Sequence, residues 1–248
     1  MELHKIIVIG ATSVIAQHCA RQWVEKPCRI HLVGRNESRL QAVADDLQVR
    51  SSLSQVTVET LDFLDAAAIG RSVAEFAHGA PIDTALIAHG HMPEQGVCQE
   101  NLESCHAALE LNGLSPALFM EALAAQMERA GRGRLGVIGS VAGDRGRKSN
   151  YIYGSAKALL DRYAQGLQHR LAGSAVRVSL IKPGPTSTPM TAHLADNGPR
   201  LARVEDVAHD IVSGMDKGKP VIYAPGKWAL IMLVIKHLPR FVFNRLDI

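Results

Sequence analysis

The segment SVAGDRGRKSNYIYGSAK, residues 140–157, holds three side chains whose types and spacing suit acid–base chemistry at oxygen. Tyr153 and Lys157 are four apart, which on a helix puts both on one face. A phenol with an ordinary pKa near ~10 is a poor proton donor and base at neutral pH, but an adjacent ammonium stabilises the phenolate and lowers that value. Ser140, thirteen residues before Tyr153, offers a hydroxyl at the end of a strand that polarises a carbonyl or holds an alcohol in place. Together the three describe hydride chemistry at a C–O centre.

Such groups need a scaffold that brings a strand end beside a helix. Short β-branched or leucine-rich runs recur at 4–9, 29–33, 56–61, 84–88, 135–138, 176–181 and 221–223, separated by helical patterns at 14–25, 37–47, 65–78, 102–129, 153–171 and 204–215. That alternation predicts an α/β fold, a Rossmann-type doubly wound parallel sheet in a single domain, with right-handed crossovers placing helices on both faces. The domain is expected to span 1–225. Within it the turn-rich stretch TSTPMTAHLADNGP, residues 186–199, follows the sixth strand and reads as a substrate lid, because ligands of open α/β sheets bind at the carboxyl ends of strands. Residues 226–248 form an apolar and basic tail outside the alternation.

A chain of 248 residues with 47% apolar and 21% charged residues is long and apolar enough for one well-buried core. The net charge of +3 is too small and too scattered to indicate a nucleic-acid partner. Cys19, Cys28, Cys98 and Cys105 show no C-x-x-C pairing, so neither a zinc ribbon nor a disulfide framework is expected. That, and the lack of room for a signal peptide before the first strand, points to the cytoplasm. His89 and His91 alternate on an extended segment without a third ligand, so no metal is expected. Arg129, Arg132 and Arg134 read as a solvated turn. Arg145, Arg147 and Lys148 either face solvent or meet an anionic substrate.

From His4 to Tyr223 the chain resembles the short-chain dehydrogenase/reductase superfamily in its common form. The resemblance rests on the Tyr153–Lys157 pair with Ser140, on LELNGLSP around Asn112, on the glycine turn IGATSVIA after the first strand, and on KPGPTSTPM after the sixth. It implies a catalytic tetrad of Asn112, Ser140, Tyr153 and Lys157, in which Asn112 holds a water in a proton relay running through Lys157. Lys157 would also bind the nicotinamide ribose. Of the family's T-G-x-x-x-G-x-G phosphate turn this chain keeps Gly10, while Val14 and Ala16 replace the second and third glycines. Thr12, Ser13, Ile15 and the N–H groups at the helix start are then expected to receive the pyrophosphate. After the second strand Gly34 occupies the place of the acid that accepts from an NAD ribose, and Arg35 follows it, so NADP is favoured over NAD. Asp62 near the adenine, His89 and Gly90 at the fourth strand, and Pro183, Gly184, Thr186 and Thr188 after the sixth complete the expected cofactor contacts.

The resemblance implies an NADPH-dependent carbonyl reductase, or the reverse alcohol dehydrogenase, working as a homodimer or homotetramer. A non-catalytic NADP-binding sensor or interaction protein on the same fold is the alternative. The fragment LIAHGHMPEQ and the tail are similar to those of reductases acting on a keto-sugar carried by a polyprenyl phosphate, the decaprenylphosphoryl 2-keto-pentose reductases; a small soluble ketone or an acyl thioester is the alternative substrate. The apolar run 228–235 spans only ~12 Å as a helix, far short of a bilayer's ~30 Å hydrocarbon core. It is expected either to pack on the domain or a second subunit, or to lie in the interface at the inner face of the membrane. In the second case Trp228, Phe241 and Phe243 dip inward and Lys227, Lys236, Arg240 and Arg245 meet headgroups.

Overall fold

The computed structural model describes residues 3–194 and 200–246. Its sheet contains β1 (His4–Ile9), β2 (Cys28–Gly34), β3 (Gln55–Thr60), β4 (Thr84–Ile87), β5 (Arg132–Ile138), β6 (Ala175–Pro183) and β7 (Val221–Ala224) in the order β3-β2-β1-β4-β5-β6-β7. Every neighbouring pair is parallel, with Ile6 opposite both Ile30 and Thr84. Central strands of such a sheet are covered on both faces and so lose the polar alternation of an exposed strand. β1 obeys this: all of Lys5–Ile9 is buried, and its isoleucines and valine alternate between two separate cores.

On one face Ile6 and Val8 pack with α1 (Val14–Trp23), α2 (Glu37–Arg50) and α8 (Val204–Asp216), through Cys19, Leu40, Leu47 and Ile211. On the other, Ile7 and Ile9 pack with α3 (Ala66–Ala77), α6 (Ser115–Ala130) and α7 (Tyr151–Arg170), through Ile69, Phe119, Leu123 and Leu160. Each such fully buried side chain contributes roughly 1.5–3 kcal/mol relative to exposure. Asn36 and Asp65 cap α2 and α3 by accepting backbone N–H groups, as their types predict. The sequence order reverses across β1 and β4, so the cleft opens at the carboxyl ends of these strands.

Three expectations need correction. The helix expected over 102–129 is α5 (Leu102–Leu109), a π turn (Glu110–Leu114) and α6, in one continuous rod. Pro116 has no N–H to return to the carbonyl of residue 112, four positions earlier, and the Ser115 N–H reaches back five residues to Glu110. Arg132 and Arg134 are not in a turn: Gly131 ends α6 in a left-handed conformation and β5 begins at once, with Arg132 paired to Asp83 at 3.2 Å. A short helix, α4 (Gln95–Glu100), follows β4 where the sequence offered no periodicity.

The expected lid is anchored by a bridge between Thr186 and Ala202 and carries a 3₁₀ turn at Pro189–Leu194; its part from 195 to 199 lies outside the described residues. The tail folds as α9 (Lys227–His237) and α10 (Arg240–Phe243), parted at Pro239.

Candidate active site

Ser140 follows β5 by two residues and caps the 3₁₀ turn Val141–Gly143, accepting the Ala142 N–H at 3.1 Å. That turn lies directly against α7. A Cβ on Gly143 would stand 2.9 Å from the Lys157 carbonyl carbon, and one on Gly154 only 2.8 Å from the Ala142 oxygen. The two glycines therefore let strand end and helix touch backbone to backbone, which brings Ser140 within hydrogen-bonding reach of Tyr153. The expected serine–tyrosine juxtaposition is present.

Lys157 is buried, donates to the Ile138 carbonyl at 3.0 Å, and stands 5.7 Å from the centre of the Tyr153 ring. Burial lowers its ammonium to about 8. The same burial pushes the Tyr153 phenol up to about 12, against a smaller lowering by its hydrogen bond with Ser140. The lowered phenol expected from the sequence is thus reversed: desolvation of the phenolate outweighs the hydrogen bond with Ser140.

Asn112 occupies the π turn, fully buried, where its Oδ1 accepts the His91 N–H at 2.8 Å and its Nδ2 donates to the Ala108 carbonyl at 2.8 Å. Gly90 threads between the two: a Cβ there would lie 2.9 Å from Asn112 Oδ1 and 3.5 Å from Lys157 Nζ. A side chain at 90 would therefore crowd the Asn112 amide oxygen.

At the first strand, Gly10 has φ +78° and a Cβ would fall 2.5 Å from the His89 nitrogen, so both conformation and space require glycine. Ser13 is the N-cap of α1 but makes no side-chain capping bond, and Gln17 draws the Thr12 carbonyl back at 3.1 Å. The first N–H groups of α1, around Val14 and Ile15, are thereby left for an anion. These features fit a dinucleotide pyrophosphate in spite of Val14. Arg35 is exposed and, among the described residues, makes no hydrogen bond or ion pair. Gly34 is more than an absent acid, since a Cβ would meet Leu40 at 2.9 Å.

The other expected contacts divide. Asp62 is exposed and accepts the Leu64 N–H. The His89 ring belongs to the core beneath the turn, 4.5 Å from Phe63 and 5.5 Å from Phe119, with Nε2 bonded to Ser115 at 2.9 Å. Burial drops its pKa to about 3, so it is neutral. Pro183 and Gly184 are buried at the end of β6; Thr186 turns inward onto the Gly184 carbonyl at 2.9 Å, and Thr188 faces Thr191 at 3.3 Å. Among the described residues no group of three or more His, Cys, Asp or Glu side chains is arranged to hold a metal.

A cluster that sequence patterns did not reveal lies behind the serine turn. Lys182 at the end of β6 is paired with both Asp144 and Asp161, Tyr223 donates to Asp144 at 2.8 Å, and Lys236 of α9 comes to 4.0 Å. Asp161 is one helical turn beyond Lys157, a spacing that was legible, but its partners come from other elements. Arg145, expected to face solvent or substrate, instead donates to the carbonyls of Ile235 and Leu238 and stacks 3.8 Å over Phe243. Trp228 packs against Gly184, where a Cβ would be 1.9 Å from its Nε1. Of the three aromatics expected to point outward from the tail, only Phe241 does so, at 69% exposure.

The family model for short chain dehydrogenase matches residues 4–198. An uncharacterized oxidoreductase of Mycobacterium tuberculosis is 34% identical over 244 residues, 97% of this chain and 96% of that protein. One from Streptomyces coelicolor is 30% identical over 243 residues, 97% and 95% of the two chains. Among solved structures, a short-chain dehydrogenase from Sphingobium yanoikuyae in complex with NADPH shares the fold at TM-score 0.81 and 23% identity, covering 95% of this chain and 97% of that one. One from Burkholderia cenocepacia in complex with NADP does so at TM-score 0.83 and 18% identity, covering 100% and 98%. Sequence, sheet order and relatives agree: the chain belongs to the short-chain dehydrogenase/reductase family and is an oxidoreductase.

Proposed function

We propose that the chain interconverts a ketone and a secondary alcohol with NADP(H), Tyr153 acting as general acid in the direction of reduction. The observation that carries this reading is the convergence of Ser140, Tyr153, Lys157 and Asn112 from β5, α7 and the π turn onto one strand-end cleft. NADPH, when bound, supplies the hydride that reaches the carbonyl carbon. A phenol near 12 holds its proton throughout the neutral range and can give it to the carbonyl oxygen as that oxygen gains charge. Ser140 is placed to bond the same oxygen, and the Lys157 ammonium lowers the cost of the phenolate left behind. Asn112, fixed by two hydrogen bonds, holds the end of the proton path still.

The first turn of α1 with Gly10, Thr12 and Ser13 would hold the pyrophosphate, and Arg35 the 2′-phosphate. Arg39, in the first turn of α2, is a second exposed cation there that the sequence reading missed. NADP over NAD rests on this unpaired charge at a strand end that lacks an acid, in keeping with the NADPH held by the Sphingobium protein.

For the substrate, a carbonyl on a lipid-linked carrier is favoured over a small soluble ketone or acyl thioester, because the apolar tail is fastened beside the cleft through Gly184 and Arg145. We place this work in the cytoplasm, at the inner membrane face. Leu109, Leu114 and Leu118, exposed by 37, 51 and 42% along the α5–α6 rod, suit burial in a homodimer. The test is NADPH oxidation against soluble ketones, acyl thioesters and polyprenyl-phosphate keto-sugars. Turnover supports the enzyme, and its substrate rank decides the carrier. Tight NADPH binding without turnover on any of them would point to the sensor.

A further inference from the structure

α9 is firmly seated by one face. Met232 is fully buried, Trp228 fills the space over Gly184, and Arg145 takes the carbonyls at the helix's carboxyl end. With 3.6 residues per turn, Trp228, Met232 and Ile235 share this inner face, and Leu230, Leu233 and Val234 fall opposite. Those three are exposed by 68, 56 and 57%. A helix held by its inner side ordinarily turns polar residues outward; this one turns out leucine and valine, and Phe241 of α10 adds to the same tail surface.

Among the described residues of the tail, the charges have one sign. From Lys217 to Leu246 there is no Asp or Glu, while Lys227, Lys236, Arg240 and Arg245 border or follow the patch. Among the described residues Lys227, Arg240 and Arg245 form no ion pair. A second copy docked by the same face about a two-fold axis would set these cations against themselves. A bilayer with anionic headgroups satisfies both features, since apolar side chains enter the acyl boundary and cations meet phosphates. No helix among the described residues is long and apolar enough to cross a membrane, so the contact is lateral.

We propose that α9 and α10 are a docking surface for an anionic lipid bilayer. Arg145 lies five residues after Ser140, and Gly184 directly follows β6, so the anchors that hold the tail also hold it next to the catalytic cleft. Docking then brings the cleft mouth to the lipid surface. The inference deepens the lipid-linked reading of the substrate but does not require it, because binding is measured without turnover.

The test is co-sedimentation of the full chain with vesicles of phosphatidylglycerol and of phosphatidylcholine, beside the triple variant Leu230→Gln, Leu233→Gln, Val234→Gln, whose positions leave the inner face untouched. The full chain should pellet with phosphatidylglycerol at low salt, less at high salt, and little with phosphatidylcholine. The variant should bind on the order of 100-fold more weakly, with unchanged circular dichroism and elution volume. A full chain that stays in solution with phosphatidylglycerol, or a variant that binds equally well, overturns the proposal. So does a variant that turns from dimer to monomer, which would assign the face to a second copy. Vesicle binding without activity on a polyprenyl-linked substrate would refute the substrate reading and leave the docking surface standing.

Discussion

Replacing Lys182 with Met removes the cation from between two carboxylates that the fold has taken out of water. The Lys182 side chain is 5% exposed, Asp144 is fully buried and Asp161 is 11% exposed. Met fills similar volume, so packing changes little and the loss is electrostatic. Breaking such a buried pair costs about 3–5 kcal/mol, because the remaining charges are uncompensated. For a domain of this size that lowers the melting temperature by roughly 6–20 °C.

Burial already holds the Asp161 carboxyl above the ordinary range, with Lys182 pulling against it. Without Lys182 the folded pKa rises again. A carboxyl whose folded pKa exceeds its unfolded value binds protons more readily when folded, so stability increases as pH falls through that window toward ~4. The variant's deficit relative to wild type should therefore be largest at neutral pH and shrink on acidification. Urea unfolding followed by circular dichroism at several pH values measures it, and adding Asp161→Asn to the Met variant should restore part of the loss. A deficit below about 1 kcal/mol at neutral pH, or one that grows as pH falls, would refute the burial argument.

Two further outcomes follow from the site. Arg35→Gln should raise the KM for NADPH by about 10- to 100-fold, the worth of one charge-assisted contact, and leave that for NADH nearly unchanged; steady-state kinetics with both cofactors checks this, and it is cleaner than inserting an acid at Gly34, where Leu40 leaves no room. For kcat/KM of reduction, Lys157 near 8 and Tyr153 near 12 place the limiting ionisation on the lysine. Its ammonium is present below about 8 and lost above, so the profile should be flat on the acid side and fall as pH rises through about 8.

The fold was legible because each strand carried its own apolar run and the long helices that cover the sheet their own period: β1 matches its expected bounds, and every other strand was placed near its observed position. Ser140, Tyr153 and Lys157 were legible for the same reason, since a strand end and one helical turn are local facts. The rest depends on contacts between distant elements. The π turn at Asn112 follows from Pro116 acting on a rod whose apolar pattern is continuous, so periodicity alone reads straight through it. His89 looked like a cleft residue because it stands at a strand end; its ring turns inward because Phe63, Ser115 and Phe119 meet behind β4. The cluster of Asp144, Asp161, Lys182 and Tyr223 joins four separate segments by side chains alone, and no spacing within any one segment announces it.

Tyr153→Phe tests the central claim most directly. The substitution removes the transferable proton and one hydrogen bond to Ser140 while keeping the ring. With a substrate that the wild type turns over, NADPH oxidation should fall by about 100-fold or more, and NADPH affinity, read by fluorescence titration, should stay within a few-fold of wild type. A Phe variant that retains a tenth or more of the wild-type rate with bound NADPH would contradict the assignment of Tyr153 as the proton donor.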